Sequence, residues 1–226
     1  MKKLGIIGGL GPETTANFYK EVILSCSNLG IKHRPSILIA NVPIDFELEK
    51  KFINHSQGKK EFLKLLTDAA ISLEKGGADF IVIPCNTAHV FINEVRKVVR
   101  ISVLSIIEET TKFLQEKKVN NIGILATPST VKNKLFDVKL KTCKIKAEFP
   151  KKEKQILLGK IINKILRSKH GSKEKKELLG IIDEFSCDSV LLACTDLHIL
   201  LQGKSNTKIF DTMQILRQAA VRELLA

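Results

Sequence analysis

Residues 79–89, DFIVIPCNTAH, return in altered form as residues 188–198, DSVLLACTDLH. In both copies an Asp stands six residues before a Cys, and a His stands four residues after it. The apolar run between Asp and Cys is short and does not alternate with polar residues, which is typical of a strand buried on both faces of a parallel sheet. Cys85 and Cys194 are therefore expected at the carboxyl ends of two such strands, the edge where open α/β sheets bind their ligands.

The order of strand and helix patterns predicts the architecture. Apolar runs alternate with helical periodicity along the chain, which is typical of parallel sheets covered by helices. We predict an α/β protein of two pseudo-symmetric lobes, each a mostly parallel sheet, with the functional site in the cleft between them. The first lobe is expected to comprise residues 1–106 and 207–226, and the second lobe residues 107–206.

Several local segments have clear signals. A helical pattern over residues 59–75 ends at a Gly-Gly pair that suits a helix C-cap. A helix is expected over residues 88–100, after the first Cys, whereas residues 41–46 are expected to form a loop. The helical pattern from residue 213 to the end of the sequence is expected to pack on the first lobe, because its apolar face needs a partner.

Charge is concentrated in one segment. The net charge is +13, and residues 132–176 contain 16 Lys and Arg against 4 Asp and Glu. Such a segment could attract nucleic acid or a small anion, or it could be an ordinary solvated surface. Trp is absent and Tyr occurs once, so no aromatic platform for base stacking is indicated. A nucleic-acid-binding protein is kept as an alternative, but nucleic acid is not the expected partner.

Composition argues against several classes of protein. No apolar run approaches the ~18 residues that a membrane span needs, and the N-terminal apolar run is too short for a signal peptide. A cytoplasmic protein without a membrane partner is expected. The five cysteines form an odd set without a CxxC pair, which argues against a disulfide framework and against a zinc cluster.

A glycine-rich turn follows the first apolar run. Gly8, Gly9 and Gly11 precede Pro12, a residue that suits the first turn of a helix. The glycines do not fit the G-x-G-x-x-G pattern of dinucleotide-binding proteins, and the G-x-x-x-x-G-K-S/T pattern of P-loop proteins does not occur. A nucleotide site is therefore weakly supported. The backbone N–H groups of this turn could still bind a carboxylate or phosphate, which makes Gly11 a candidate substrate contact, and a purely structural turn is the alternative. Residues 121–130 show the same pattern in the second lobe, an apolar strand followed by a turn.

The duplicated cysteines suggest acid–base chemistry. Two thiols on opposite walls of one cleft could serve as acid and base on opposite faces of a carbon, with their sulfurs roughly 7 Å apart. A helix N-terminus after each strand is expected to lower the thiol pKa from its ordinary ~8.5. A single Cys after an apolar strand is most often a core residue, but packing does not demand a duplicated placement. The remaining cysteines lack this context and are interpreted as structural: Cys26, Cys143 and Cys187.

Other polar residues gather at the same strand ends. His89 and His198 are expected on the helix after each Cys, where they cap or orient the turn and do not ligate metal. Five further side chains are placed to hold a carboxylate and to stabilise the enolate-like charge that develops when an α-proton leaves. These candidates are Asn86, Thr87, Thr127, Thr130 and Thr195.

Four motifs carry a family resemblance. Residues 8–12 (GGLGP), 84–89 (PCNTAH), 126–130 (ATPST) and 193–196 (ACTD) resemble, in this order, the aspartate/glutamate racemase family. The resemblance covers almost the whole chain. It implies a two-lobe α/β fold and a homodimer that racemises aspartate or glutamate without pyridoxal phosphate, another cofactor or metal. It also implies that Cys85 and Cys194 are the catalytic acid and base. The five polar candidates named above would then surround the α-carboxylate and amino group of the substrate.

Within the superfamily, the residues of the first glycine-rich turn and those after the second Cys resemble the aspartate racemase branch. Glutamate racemases of the cell-wall pathway have an Asp-Ser-Gly turn and a His two residues after the second Cys, where this chain has GGL at residues 8–10 and Asp196. Asp196 also replaces the Glu usual in the aspartate branch. A basic residue is expected near the side-chain carboxylate of the substrate, and Lys169 is the candidate, with Asp45 and Phe46 contributing from the first lobe. Other cysteine-dependent isomerases of the superfamily, of the maleate isomerase or hydantoin racemase type, are the alternative.

Overall fold

Two parallel sheets form the framework of the protein. The computed structural model describes residues 1–201 and 207–226. The first sheet consists of β1 (Leu4–Gly8), β2 (Ile37–Asn41), β3 (Phe80–Val82) and β4 (Ser102–Leu104), in the order β2-β1-β3-β4 with every pair parallel. Every residue of β1 and β3 is buried, as expected for central strands covered on both faces.

Helices cover this first sheet. They are α1 (Pro12–Asn28), α2 (Phe46–His55), α3 (Lys59–Lys75), a 3₁₀ helix (Thr87–Phe91) and α4 (Ile92–Val98). The next helix, α5 (Ile106–Glu116), follows β4, and its buried residues belong to the core that the lobes share. The bounds of α3 agree with the sequence prediction. The helix expected over residues 88–100 is instead divided between the 3₁₀ helix and α4.

The second sheet repeats the plan of the first. It contains β5 (Asn121–Ala126), β6 (Lys146–Glu148), β7 (Ser189–Ala193) and β8 (Lys208–Asp211), in the order β6-β5-β7-β8. Its other elements are α6 (Pro128–Lys132), α7 (Asp137–Thr142), α8 (Lys152–Ile165), α9 (Ser172–Ile182), a 3₁₀ helix (Leu197–Ile199) and α10 (Thr212–Leu225). The strand orders of the two sheets correspond one to one, so the predicted two-lobe α/β fold is confirmed.

The segment 207–226 is shared between the lobes. The sequence placed it entirely in the first lobe, but β8 pairs with β7 in the second sheet. Only α10 packs back on the first lobe, where Arg217 pairs with Glu21 at 2.6 Å and the Lys2 N–H donates to the Leu224 carbonyl at 3.1 Å. The division follows from the parallel pairing that β8 adds to the edge of β7. Residues 202–206, which the prediction assigned to the second lobe, lie outside the described residues.

A shared apolar core joins the lobes on one side. Leu4 and Phe18 of the first lobe belong to the same buried cluster as Ile122, Phe136 and Leu216. Each lobe also has a core of its own on the other face of its sheet. Among the described helices, none is long and apolar enough to cross a membrane.

Helix α2 was not predicted. The sequence indicated a loop over residues 41–46 and no helix between residues 46 and 59, but the Asp45 carboxylate caps α2 by accepting hydrogen bonds from the N–H groups of Glu47 (2.9 Å) and Leu48 (3.1 Å). Phe52 then stacks on Phe62 with ring centroids 4.1 Å apart, which fixes α2 against α3.

Candidate active site

Both repeated cysteines lie in one cavity between the lobes. Cys85 follows β3 and Cys194 follows β7, and the two side chains line the same chamber. The other lining residues are Leu10, Glu49, Phe52, Ile53, Phe62, Asn86, Thr87, Thr127, Ile162, Leu166, Thr195 and Asp196. This inner chamber encloses about 20 Å³, which is little more than the ~10–15 Å³ that one water molecule needs. The chamber is therefore too small for an amino acid in this conformation, with Cys194 buried and Cys85 half-buried, so substrate binding requires its walls to separate.

Burial dominates the ionisation of both thiols. It raises the pKa of Cys85 to about 12, although the N–H groups of Ala88 and Thr87 act in the opposite direction. Burial, followed by the charge of Asp196, raises the pKa of Cys194 well above its ordinary value. The sequence-based expectation of lowered pKa values is wrong for both thiols. The helix-terminal N–H groups are present as predicted, but the loss of solvent outweighs them.

Asp196 contacts Cys194 directly. The Cys194 thiol donates to Asp196 Oδ2 at 3.7 Å, and the Thr14 hydroxyl donates to Asp196 Oδ1. Burial raises the pKa of the Asp196 carboxyl. Gly11 has a φ of +73°, and a Cβ at this position would lie 2.8 Å from Asp196 Oδ1. Glycine is required here by both its backbone conformation and the approach of the carboxylate.

Three threonines from the two lobes form a hydroxyl cluster. Thr87 Oγ1 lies 2.9 Å from Thr127 Oγ1 and 3.1 Å from Thr130 Oγ1, and the last two oxygens are 3.0 Å apart. Thr127 also caps α6 by accepting a hydrogen bond from the Thr130 N–H at 3.1 Å. The structure thus brings together these predicted residues, with Thr87 and Thr127 in the chamber wall.

Asn86 and Thr195 also lie in the chamber wall. The Asn86 amide donates to the Thr212 hydroxyl at 2.9 Å, and its buried Oδ1 atom has no partner among residues 1–201 and 207–226. A buried amide oxygen of this kind is free to accept from a ligand. Thr195 is buried, and its carbonyl lies 2.6 Å from His198 Nδ1.

His89 has a structural role in the turn after Cys85. Its Nε2 atom accepts from the Ile106 N–H at 3.0 Å, so Nδ1 carries the proton and donates to the Cys85 carbonyl at 2.8 Å. Burial lowers the pKa of His89 to about 4. His89 and His198 hold the backbone beside the two cysteines, as the sequence predicted. The described part of the chain shows no group of three His, Cys, Asp or Glu residues placed to hold a metal ion.

A larger outer vestibule opens beside the chamber. It encloses about 720 Å³ and shares Glu49, Leu166 and Asp196 with the chamber wall. Its other lining residues are Gly9, Gly11, Pro12, Glu13, Asn41, Val42, Pro43, Ile44, Phe46, Arg167, Ser168 and Lys169. Lys169 is exposed in the outer wall and is absent from the chamber lining. Phe46 contributes from the first lobe, whereas Asp45 caps α2.

Sequence reasoning missed Glu49 and Thr14. Glu49 stands at i, i+3, i+4 spacing with the buried Phe52 and Ile53, so an acidic residue lies on the apolar face of α2. That pattern is a signal for a functional carboxylate, but it is visible only once α2 is assigned. Thr14 lies in the first turn of α1 and reaches Asp196 of the other lobe across 182 residues of sequence.

Comparisons with known proteins agree with this geometry. The family described as Asp/Glu/Hydantoin racemase matches residues 7–220. The broad specificity amino-acid racemase RacX of Bacillus subtilis (strain 168) is 30% identical over 230 residues, which cover 99% of this chain and 98% of RacX. An aspartate racemase homologue from Pyrococcus horikoshii OT3 has a TM-score of 0.80 at 25% identity, with 100% of both chains covered. Picrophilus torridus aspartate racemase has a TM-score of 0.83 at 24% identity, covering 99% of this chain and 94% of its own.

Proposed function

This chain belongs to the Asp/Glu/hydantoin racemase family and is an amino-acid racemase, and we propose that Cys85 and Cys194 are its two acid/base residues. The observation that carries the proposal is the shared chamber: two thiols from the ends of corresponding strands line one enclosed space between the lobes. A planar intermediate held there would present one face to each sulfur.

The proposed reaction moves one proton on each side of the α-carbon. One thiolate takes the α-proton, and the electron pair of the C–H bond delocalises into the carboxylate to give an enolate-like intermediate. The opposite thiol then gives its proton to the other face. Asp196 supports this cycle at Cys194, because its carboxylate accepts the hydrogen bond of that thiol and can take up the proton when the thiolate forms.

The chamber wall offers partners for the rest of the substrate. We assign the α-carboxylate to the hydroxyl groups of Thr87 and Thr127, which can donate to it once they release each other. The α-ammonium group is assigned to the unpartnered Oδ1 of Asn86 and to Asp196. Thr130 and Thr195 are assigned supporting roles. The Thr130 N–H donates to the Thr127 hydroxyl, and the Thr195 carbonyl accepts from His198 Nδ1.

Aspartate and glutamate are the substrates predicted from the sequence. Arg167 and Lys169 support this choice, because both are cations in the vestibule wall. The carboxylates of Glu49 and Asp196, which lie between those cations and the thiols, oppose it. The acidic substrates stay a prediction, as do the homodimer, which light scattering would measure, and the cytoplasmic location.

Replacement of each thiol tests the two-base proposal. We expect Cys85→Ala and Cys194→Ala to lower racemisation by about a hundredfold to ten-thousandfold, the usual contribution of a general acid or base. Each variant keeps one base and is expected to exchange the α-hydrogen of opposite enantiomers with D₂O without inversion. Chiral chromatography and proton NMR across a panel of α-amino acids, hydantoins and maleate would measure both effects.

Cys143→Ser is the matched control, because Cys143 lies outside the chamber lining. It is expected to keep the wild-type rate. Racemisation near the wild-type rate in Cys85→Ala or Cys194→Ala would contradict the two-base assignment. Turnover of maleate or a hydantoin in place of amino acids would favour the alternative isomerase reactions.

A further inference from the structure

Glu49 is a carboxylate placed at the boundary between chamber and vestibule. It is half-buried and lines both spaces. Among residues 1–201 and 207–226, no hydrogen bond or ion pair within 4 Å reaches its carboxylate, although Arg167 acts on it from a longer distance. A half-buried carboxylate without a close partner is costly for folding. A ligand that supplies a cation at this point would remove that cost.

The charges around this boundary are negative on the chamber side. Asp196 is the second carboxylate shared by the two spaces, and no Lys or Arg belongs to the described lining of the chamber. Arg167 belongs only to the outer spaces and lies 3.6 Å from Glu47 on the exposed side of α2. Burial first, and then Asp196, raises the pKa of Glu49 to about 7. An acidic substrate side chain would add a third carboxylate to this boundary, which its like charges disfavour.

The vestibule wall includes an apolar stretch. Val42, Pro43, Ile44 and Phe46 belong to it, and Phe46 stands three residues before Glu49, on the same face of α2. Long basic side chains pack their methylene groups on such surfaces and leave only the charged end for polar partners. Because Glu49 lines both spaces, a side chain that extends from the chamber into the vestibule passes this carboxylate and enters the space that the apolar residues line.

We propose that Glu49 selects substrates with a cationic side chain, so that the substrate class of this racemase is the basic amino acids, such as lysine and ornithine. The inference rests on the proposed function, since it places the α-carbon between Cys85 and Cys194. The Glu49 carboxylate then pairs with the side-chain ammonium group, and the aliphatic part of the side chain lies against the apolar wall.

A comparison of lysine with norleucine as substrates tests the contribution of side-chain charge separately from that of side-chain shape. The two amino acids share a four-carbon chain, and only lysine has the terminal ammonium group. At pH 8 we expect kcat/KM of the wild type to be at least about tenfold higher for L-lysine than for L-norleucine, L-aspartate or L-glutamate. Glu49→Gln keeps the shape and removes the charge, so it is expected to lower kcat/KM for lysine by about tenfold to a hundredfold and to change norleucine by less than about twofold.

Glu61→Gln is the matched control. Glu61 lies in the first turn of α3 and loses the same charge, but it is exposed and lines neither the chamber nor the vestibule. It is expected to leave the lysine-to-norleucine ratio unchanged. The ratio in the wild type should also fall as the pH is lowered through about 7, where Glu49 takes up a proton, and this pH dependence should be absent from Glu49→Gln.

Two results would overturn the inference while leaving the racemase assignment intact: a wild type that prefers aspartate or glutamate to lysine, or equal losses for lysine and norleucine in Glu49→Gln. Calorimetric titration with L-lysine and L-norleucine provides a readout that needs no turnover. Tighter binding of lysine that is lost in Glu49→Gln supports the inference even where the cysteine variants contradict the two-base mechanism. Equal binding of the two amino acids overturns it.

Discussion

At the scale of single residues, the site is defined by how each side chain is shielded from water. Cys85 and Cys194 stand next to backbone N–H groups that favour thiolate, yet burial shifts both pKa values upward. A thiol kept protonated until substrate enters is protected from oxidation and alkylation, because the thiolate is the reactive form.

This shielding predicts the alkylation behaviour of the thiols. Below the pKa of a thiol, the thiolate fraction grows tenfold with each pH unit, so we expect the alkylation rate of Cys85 to keep rising between pH 7 and pH 10. Iodoacetamide labelling followed by mass spectrometry of the peptide that contains Cys85 would measure this. Glutathione serves as the control and should level off near its own pKa. A plateau for Cys85 below about pH 9 would contradict the raised pKa.

At the scale of secondary-structure elements, His89 couples three of them. It lies in the 3₁₀ helix after β3, donates to the carbonyl of Cys85, and accepts from the first N–H of α5. An N–H at a helix start has no partner within the helix, so His89 caps α5 together with the Ser105 hydroxyl, which accepts from the Glu108 N–H at 3.3 Å. Protonation of Nε2 would break the bond to Ile106.

The buried neutral His89 predicts an acid-sensitive fold. The unfolded chain binds a proton on this side chain at the ordinary pKa of 6.5, whereas the folded protein does so only near 4. The stabilising contribution is therefore complete above pH 6.5 and is lost as the pH falls from 6.5 to 4, by at most about 3 kcal/mol. Urea unfolding at several pH values would measure the free energy of unfolding.

His89→Gln should be less stable at pH 7 and should lose this part of the pH dependence. His33→Gln, at an exposed position of the first lobe, is the matched control and should follow the wild type. An identical pH dependence of wild type and His89→Gln would contradict the proposed role of the neutral imidazole.

At the scale of the whole molecule, the two lobes meet through unlike contacts on opposite sides of the chamber. On one side the shared apolar core includes residues of both sheets and of α10. On the other side, hydrogen bonds between polar side chains join α2 and the residue that follows it to the second lobe. Asn54 and Asn163 exchange amide hydrogen bonds at 2.9 and 3.3 Å, and the hydroxyl groups of Ser56 and Ser129 lie 2.7 Å apart. Polar contacts exchange with water at little net cost, so we expect any opening of the chamber to occur at α2 while the core holds.

Opening at α2 predicts that a covalent bond across it stops turnover. The close approach of Ser56 and Ser129 makes Ser56→Cys/Ser129→Cys a suitable pair for a disulfide. Because the closed chamber has room for little more than one water molecule, we expect the oxidised double variant to lose racemase activity and to regain it on reduction. Oxidised Ser56→Cys alone is the control and should remain active. Full activity of the crosslinked protein would show that substrate enters without separation of α2 from the second lobe.

The basic segment is partly used within the fold. Lys154 pairs with Glu184 at 2.7 Å, Lys164 pairs with Glu174 at 2.6 Å, and Lys132 donates to the carbonyl of His55 across the lobes at 3.3 Å. Such exposed pairs contribute little to stability singly. They account for several of the lysines that suggested a nucleic-acid surface.

The sequence was sufficient for features that depend on neighbouring residues. Buried parallel strands leave unalternated apolar runs, so the repeat at residues 79–89 and 188–198 predicted two similar lobes with a Cys at each strand end. The periodicity of α3 and the cap at its end are likewise local, and both agree with the structure. Helix α2 has the same kind of local signals in Asp45 and the spacing of Glu49, Phe52 and Ile53, which the prediction of a loop over residues 41–46 did not use.

Only the tertiary structure could decide the features that depend on residues far apart in the sequence. The direction of the thiol pKa shifts follows from burial by both lobes, which outweighs the local N–H groups. The contacts of Asp196 with Thr14, and the approach of Glu49 to the chamber from α2, join parts of the chain that no local pattern relates. Solvent exclusion and the electrostatic field at a point are sums over the whole fold, and for that reason the ionisation and the selectivity of this site had to be read from the structure.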